Sequence, residues 1–162
     1  MKRVFDFFLS FFGLIILSPL ILIFFILIWL QDFKNPFYIA SRVGINGIPF
    51  NMIKFRSMII DASASGVDST ASNDKRITAI GKIVRKFKID EIPQLFNVLV
   101  GEMSFVGPRP NVERETKMYS VVEKKILSIR PGITDFSSII FSDEGDILEG
   151  SNDPDLKYNQ TI

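Results

Sequence analysis

The sequence predicts a helix-rich α+β protein, in which an apolar N-terminal helix that enters a membrane precedes a compact helical body with a β-hairpin. Three observations support this class. They are an uncharged run from Phe7 to Gln31, an Asn-Gly pair at Asn46 between two extended-looking segments, and helical spacing of apolar residues over 75–88. We therefore divide the chain into a membrane helix at residues 1–32 and a folded body at residues 33–162.

The uncharged run has the composition of a bilayer segment, because it is 25 residues long and nine of the 16 Phe lie within residues 1–37. A cleaved signal peptide is excluded, since the apolar core is too long and no small-x-small site closes it. Ser18-Pro19 lies near the centre and predicts a kink, where Ser18 helps to satisfy the carbonyls that proline leaves free.

Two placements in the membrane fit this pattern. A straight helix from Val4 to Leu30 would be about 40 Å long and could cross a hydrocarbon core of about 30 Å. The arms on either side of the kink would be about 21 and 18 Å long, so a bent helix could instead enter one leaflet and return. Positive charge on both flanks favours two cytoplasmic ends; these residues are Lys2, Arg3, Lys34, Arg42, Lys54 and Arg56.

Composition limits the chemistry of the body. The chain has no Cys and no His, which excludes disulfides, thiolate sites and the usual neutral-pH base. Residues 34–88 contain ten Lys and Arg but only three Asp, whereas the chain from Pro131 onward is acidic. The middle is thus suited to an anionic partner, but no nucleic-acid module is recognisable and we expect no nucleic acid to bind.

The body begins with a predicted β-hairpin from Phe37 to Met58, in which Lys54 and Arg56 share a face. Residues 75–88 predict a basic amphipathic helix, which is typical of a membrane surface or, more commonly, of a solvated charged face. Residues 93–100 predict a short buried helix that ends at Gly101, and residues 110–128 predict another.

Asp90 and Glu91 lie where the buried helix begins. A helix N-terminus keeps a carboxylate ionised, as a nucleophile or a ligand of Mg²⁺ requires, and nearby cations could neutralise a phosphate substrate. The alternative is that acids in a first helical turn only stabilise the helix. Likewise, Arg109 between two prolines could be part of a rigid surface turn.

Three segments then carry a resemblance to a known family. "KFRSM" (54–58), "DKRITAIGKIVRKFKIDEIPQLFNVLVGEMSFVGPRP" (74–110) and "RPGIT" (130–134), behind an apolar helix with Ser-Pro, resemble the bacterial sugar transferases, the monotopic polyprenol-phosphate phosphoglycosyl transferases. The resemblance implies transfer of a phosphosugar from a UDP-sugar to undecaprenyl phosphate, with release of UMP, as the initiating step of surface glycan or glycoconjugate assembly.

The resemblance also implies roles for individual residues. Asp90 would be the nucleophile of a covalent aspartyl-phosphosugar intermediate, and Glu91 would coordinate Mg²⁺. The implied substrate-binding residues are Lys54, Arg56 and Arg85 for phosphate and Pro108, Arg109 and Pro110 for the nucleotide. The apolar helix would be re-entrant and kinked at Ser18 and Pro19, with the catalytic domain on the cytoplasmic face of the bacterial inner membrane.

The chain departs from the family at two points. Family members usually continue beyond residue 162 with a further apolar segment, so we expect this chain to be truncated, and Asp135 stands where many have Gly. Two rival functions remain: a membrane-anchored, non-catalytic protein that binds anionic lipid or partner proteins, and a Mg²⁺-dependent phosphatase. The sequence leaves the sugar and the formation of a homo-oligomer open.

Overall fold

The computed structural model of the chain describes residues 1–62, 71, 73–141, 147–148 and 156–157. Within these residues the fold is helix-rich α+β, as predicted. Its helices are α1 (Lys2–Asp32), α2 (Ala79–Lys86), α3 (Gln94–Val100), α4 (Glu113–Lys117) and α5 (Phe136–Ile140). Its strands are β1 (Phe37–Val43), β2 (Pro49–Phe55), β3 (Ser104–Val106) and β4 (Gly132–Thr134).

The helix α1 runs through Pro19 without interruption for 31 residues and is long and apolar enough to cross a membrane, by length and composition only. Pro19 has no N–H to donate to the Ile15 carbonyl one turn earlier. Ser18 Oγ donates to that same carbonyl at 2.7 Å, so the predicted role of Ser18 is confirmed. The bend at this position and the entry of α1 into a membrane stay predictions.

One narrow face of α1 packs against the body. Asp6, Ser10 and Ile28 are buried, and Ile21 and Phe24 are partly buried between them. These residues follow a spacing of three and four, which places them on one side of the helix. Most of the remaining surface of α1 is exposed and apolar, with ten of its residues being Phe5, Phe8, Leu9, Phe12, Ile15, Ile16, Leu22, Ile23, Ile26 and Leu30.

The first turns of α1 are held by polar contacts. Asp6 accepts hydrogen bonds from Ser104 Oγ at 2.9 Å and from the Phe105 N–H at 3.4 Å. The Arg3 guanidinium donates to the carbonyls of Val98 and Leu99, which belong to the last turn of α3. Arg3 therefore supplies donors that the end of a helix otherwise lacks.

The predicted β-hairpin is confirmed. β1 and β2 pair antiparallel from Phe37 opposite Phe55 to Val43 opposite Pro49. At the turn, Asn46 and Gly47 both have positive φ, 57° and 76°, which is the conformation that Asn-Gly pairs favour.

The outer edge of β2 is bonded by a side chain of α3. Asn97 Nδ2 donates to the Asn51 carbonyl at 2.8 Å, and its Oδ1 accepts from the Ile53 N–H at 3.0 Å. Asn97 is 1% exposed and lies beside the apolar cluster of Ala40, Phe50, Met52, Val98 and Met103. Its amide thus occupies the place of a neighbouring strand and fixes α3 against the hairpin.

A second, parallel sheet was not predicted. β3 and β4 pair with Ser104 opposite Gly132 and Val106 opposite Thr134. Gly107, which directly follows β3, lies very close to Gly132, the first residue of β4. A Cβ on Gly132 would lie 2.1 Å from the Gly107 nitrogen. Glycine at both positions therefore allows "VGPRP" and "RPGIT" to meet.

The single helix predicted over residues 110–128 is wrong. α4 ends at Lys117, and a separate 3-10 helix covers Glu123–Ser128. Ser120 and Glu123 form a reciprocal pair, with the Ser120 N–H donating to Glu123 Oε2 at 2.7 Å and the Glu123 N–H donating to Ser120 Oγ at 3.3 Å. This capping box starts a new helical turn and so interrupts the helix.

Gly81→Ala is expected to destabilise the protein, because a Cβ there would lie 1.9 Å from the Ser57 carbonyl oxygen. Overpacking of this kind costs about 1–3 kcal/mol or more, which exceeds the roughly 0.5–1 kcal/mol that alanine gains over glycine inside a helix. Thermal unfolding in detergent measures the effect. Gly13→Ala is the matched helical control, since its Cβ would lie 3.4 Å from Leu95 Cδ1. An unchanged unfolding temperature for Gly81→Ala would contradict the packing.

Candidate active site

The two adjacent acids lie in a short 3-10 turn, Ile89–Glu91, between α2 and α3. Lys88 precedes it with φ 55°, a left-handed conformation that reverses the chain sharply. Ile89 packs on the apolar cluster of Ile28, Phe55 and Val84. The predicted location just before a short helix is confirmed, and Gly101 ends that helix with φ 95°.

Asp90 is held in an unusual state for a carboxyl group. Its Oδ1 is buried and has no hydrogen-bond partner among the described residues. Burial raises the pKa of the Asp90 carboxyl above the ordinary aspartate value, and the nearby charge of Glu91 adds to the rise, whereas the cations Lys54 and Arg85 oppose it. We expected the helix N-terminus to favour the ionised form of this carboxyl; desolvation outweighs the contributions that lower its pKa.

Glu91 points to β2. Lys54 Nζ donates to Glu91 Oε1 at 2.7 Å, and both side chains are partly exposed. Arg85, on the last turn of α2, is near enough for its charge to act on both Asp90 and Asp74. The structure thus brings together four of the predicted site residues, two acids and two cations, from three separate elements.

The donor set suits a hard divalent cation. Within the part of the chain that the structure describes, no group of three or more acidic side chains converges. Mg²⁺ commonly takes only one or two protein carboxylates and completes its octahedron with water and substrate phosphate. The carboxylate of Glu91 fits that requirement, since among the described residues Lys54 donates to only one of its two oxygens, Oε1.

Arg56 is placed elsewhere. Its Nη1 and Nη2 both donate to the Asp32 carboxylate at 2.6 Å, at the end of α1. Lys54 and Arg56 therefore bind different acids, although they are only two residues apart on the chain.

Pro108, Arg109 and Pro110 follow β3 at the carboxyl end of the parallel sheet. The Arg109 N–H donates to Asp135 Oδ2 at 3.1 Å, while Asp135 Oδ1 accepts from the Ser138 N–H at 2.7 Å. Burial alone would raise the pKa of the Asp135 carboxyl, but these hydrogen bonds and the Arg109 charge outweigh burial and lower it. Among the described residues, no hydrogen bond or ion pair joins this segment to Asp90 or Glu91.

Sequence reasoning missed several residues that position the site. Asp6, Asp32 and Asn97 bind parts of the body that lie far away in the sequence. A signal was present for two of them, because Asp6 and Asn97 are polar residues within apolar helical patterns. A buried polar residue of this kind needs a partner.

Comparisons with known proteins place the whole chain in one family. A family model described as bacterial sugar transferase matches residues 1–162. A Bacillus subtilis relative, provisionally named an undecaprenyl-phosphate N-acetylgalactosaminyl 1-phosphate transferase, is 49% identical over 109 residues, which are 67% of this chain and 61% of the relative. The exopolysaccharide production protein ExoY of Sinorhizobium fredii is 38% identical over 148 residues, covering 82% of this chain and 66% of the relative.

A third relative is the UDP-glucose:undecaprenyl-phosphate glucose-1-phosphate transferase of Klebsiella pneumoniae. It is 36% identical over 141 residues, which cover 85% of this chain and 30% of the relative. In each of these three comparisons, the chain matches less than two thirds of the relative's length.

Asp90→Asn is expected to raise the unfolding temperature at neutral pH. The folded-state pKa of Asp90 is raised, so its charge costs stability at every pH above the unfolded-state pKa. At a pH below the unfolded-state pKa, the carboxyl is protonated in both states and the gain should vanish. Thermal unfolding from pH 7 downward measures both effects, with Glu113→Gln, a change of an exposed acid, as control. A lower unfolding temperature at pH 7 would contradict this account of Asp90.

Proposed function

This chain belongs to the bacterial sugar transferase family, and from that membership we propose that it transfers a sugar 1-phosphate from a UDP-sugar to undecaprenyl phosphate and releases UMP. The names of the relatives support this reaction class. The observation that carries the proposal is the buried, unpartnered Oδ1 of Asp90, a carboxyl on which the charges of Lys54 and Arg85 both act.

Asp90 acts as the nucleophile in this proposal. Its oxygen attacks the phosphorus that bears the sugar, the bond from that phosphorus to the bridging oxygen breaks, and UMP leaves with the bonding electron pair. In a second step, an oxygen of undecaprenyl phosphate attacks the same phosphorus and displaces the Asp90 carboxylate. The product is a lipid diphosphosugar, and the enzyme is regenerated without an external oxidant or reductant.

The neighbouring residues bind and orient the charged substrate. Lys54 and Arg85 neutralise phosphate oxygens and lower the cost of an ionised Asp90. Glu91 is the residue that would hold Mg²⁺, which would neutralise negative charge of the diphosphate during the displacement. Pro108, Arg109 and Pro110 contact the nucleotide in this proposal.

The contacts of α1 support a re-entrant rather than a spanning helix. Arg3 and Asp6 at its beginning and Ile28 and Asp32 at its end all contact the same folded body. A helix that crossed the bilayer would separate its two ends by about 30 Å of hydrocarbon, and a body bound to both could not remain in water. We propose that both ends face the cytoplasm, where nucleotide sugars are available, at the inner-membrane surface.

The direct test is UMP release by the detergent-purified chain with Mg²⁺, undecaprenyl phosphate and a panel of UDP-sugars. Asp90→Asn is expected to lower turnover by at least about 10³-fold, because it removes the nucleophile. Glu113→Gln, which changes an exposed acid, serves as the matched control. Full activity of Asp90→Asn would exclude the nucleophile role.

Two controls separate the rival functions. Without the lipid acceptor, the transferase should release at most about one UMP per enzyme and leave the phosphosugar mass on the peptide containing Asp90. Continued acceptor-free turnover would instead indicate a phosphatase. If no UDP-sugar of the panel gives UMP, although thermal unfolding shows that the chain is folded, the result would favour an anchored binding protein.

The pH profile of kcat/KM provides a further prediction. Asp90 must be ionised to attack, and its pKa is raised, so the acidic limb should lie above the ordinary aspartate pKa. Lys54→Met removes a cation that lowers this pKa, and it should move the limb to still higher pH. Lys82→Met changes an exposed lysine on α2, three residues before Arg85, and should leave the limb in place. A limb that does not respond to Lys54→Met would contradict the electrostatic role of Lys54.

A further inference from the structure

The last residue of α1 is an acid, which is an unfavourable position. The C-terminal end of a helix carries partial negative charge, so a carboxylate there is destabilising unless a cation offsets it. Asp32 is offset by Arg56 through two hydrogen bonds of 2.6 Å, Nη1 to Oδ2 and Nη2 to Oδ1. Such a bidentate pair is the strongest geometry available to arginine.

This pairing occupies the terminal nitrogens of Arg56. The Arg56 side chain is only 10% exposed, compared with 37% for Asp32. The Arg56 N–H also donates to the Pro36 carbonyl at 2.8 Å, and the Lys34 N–H donates to Asp32 Oδ1 at 3.0 Å. The guanidinium edge formed by Nη1 and Nη2, through which arginine can bind a phosphate bidentately, is therefore used within the protein.

Three consecutive residues at the end of β2 link α1 to the candidate active site. Lys54 binds Glu91, Phe55 is 2% exposed and packs in a cluster with Ile28 of α1, and Arg56 binds Asp32. Because Lys54 and Phe55 belong to β2 and Arg56 directly follows it, a displacement of Arg56 would also shift Lys54.

We propose that Arg56 is a positioning residue, which through Asp32 fixes the end of the membrane helix to β2 and thereby holds Lys54 against Glu91. It does not bind the substrate phosphate. The inference rests on the proposed function for its catalytic consequence, but the positioning of Lys54 is a property of the folded chain alone.

A charge-reversal cycle tests the proposal: Asp32→Arg, Arg56→Asp and the double variant. Each single variant places like charges together and should lower kcat by roughly tenfold or more, with a lower unfolding temperature. The double variant restores an ion pair of the same total length, so it should recover most of both losses and keep the KM for the UDP-sugar near that of the parent. The same reversal of the exposed pair Glu113 and Lys117 is the control and should have little effect.

The opposite pattern would overturn the proposal. If Arg56 binds phosphate, Arg56→Asp and the double variant should both show a strongly raised KM, while Asp32→Arg alone should be mild. No recovery of the unfolding temperature in the double variant would equally exclude a stabilising pair.

A readout without catalysis separates this inference from the proposed function. The labelling rate of Lys54 by an amine-reactive reagent, measured by mass spectrometry relative to exposed Lys82, reports whether Lys54 keeps its bond to Glu91. It should rise in both single variants and fall again in the double variant. If the parent released no UMP, the proposed function would fail, whereas unchanged labelling of Lys54 in the single variants would refute the positioning role.

Discussion

The packing of α1 along one face of the body is the constraint on which the other elements depend. Most of the surface of this helix is apolar and exposed, yet the helix binds the folded body through one narrow stripe of residues that are spaced three and four apart. The stripe is polar near the first turns, where Asp6 binds Ser104, and apolar near the last, where Ile28 is fully buried. Because its two ends bind different elements, α3 and β3 are fixed at one end, while β2 and α2 are fixed at the other.

The candidate active site combines burial with charge, and the two have opposite effects on stability and reactivity. A carboxylate that is removed from water loses hydration, which favours its protonated form but also leaves its oxygen free to react. Lys54 and Arg85 reduce the cost of the charge without donating a hydrogen bond to Oδ1. Sites of this kind commonly lower the stability of the fold in order to keep a reactive group available.

Local signals allowed much of the fold to be predicted from the sequence. Asn46-Gly47 predicted the hairpin, and Gly101 predicted the end of α3. The position of Asp90 and Glu91 just before α3 followed from the predicted start of that helix. The capping box at Ser120 was readable but overlooked. The pair of three-residue strands β3 and β4 could not be predicted, because so short a strand has no periodicity and the pairing depends on contacts between distant glycines.

Side-chain partners were less predictable than elements. Lys54 and Arg56 were both expected to bind substrate phosphate, and alternate residues of a strand point the same way. Two residues along a strand are about 6.6 Å apart, however, which leaves room for each cation to bind its own acid. Which acid reaches each cation depends on where α1 ends and where the 3-10 turn lies, and neither distance is visible in the local pattern.

Helix α3 and the contacts at its C-terminal end connect the segments that carry Asp90 and Arg109. Along the chain, Asp90 directly precedes α3, whereas Arg109 follows β3. Seven residues of α3 span about 10 Å, and Arg130 Nε donates to the Gly101 carbonyl at 2.9 Å, which fixes the β4 segment to the end of α3. Because Arg3 and Arg130 both bind carbonyls at the C-terminal end of α3, this helix rigidly joins the turn that carries Asp90 to the parallel sheet that precedes Arg109.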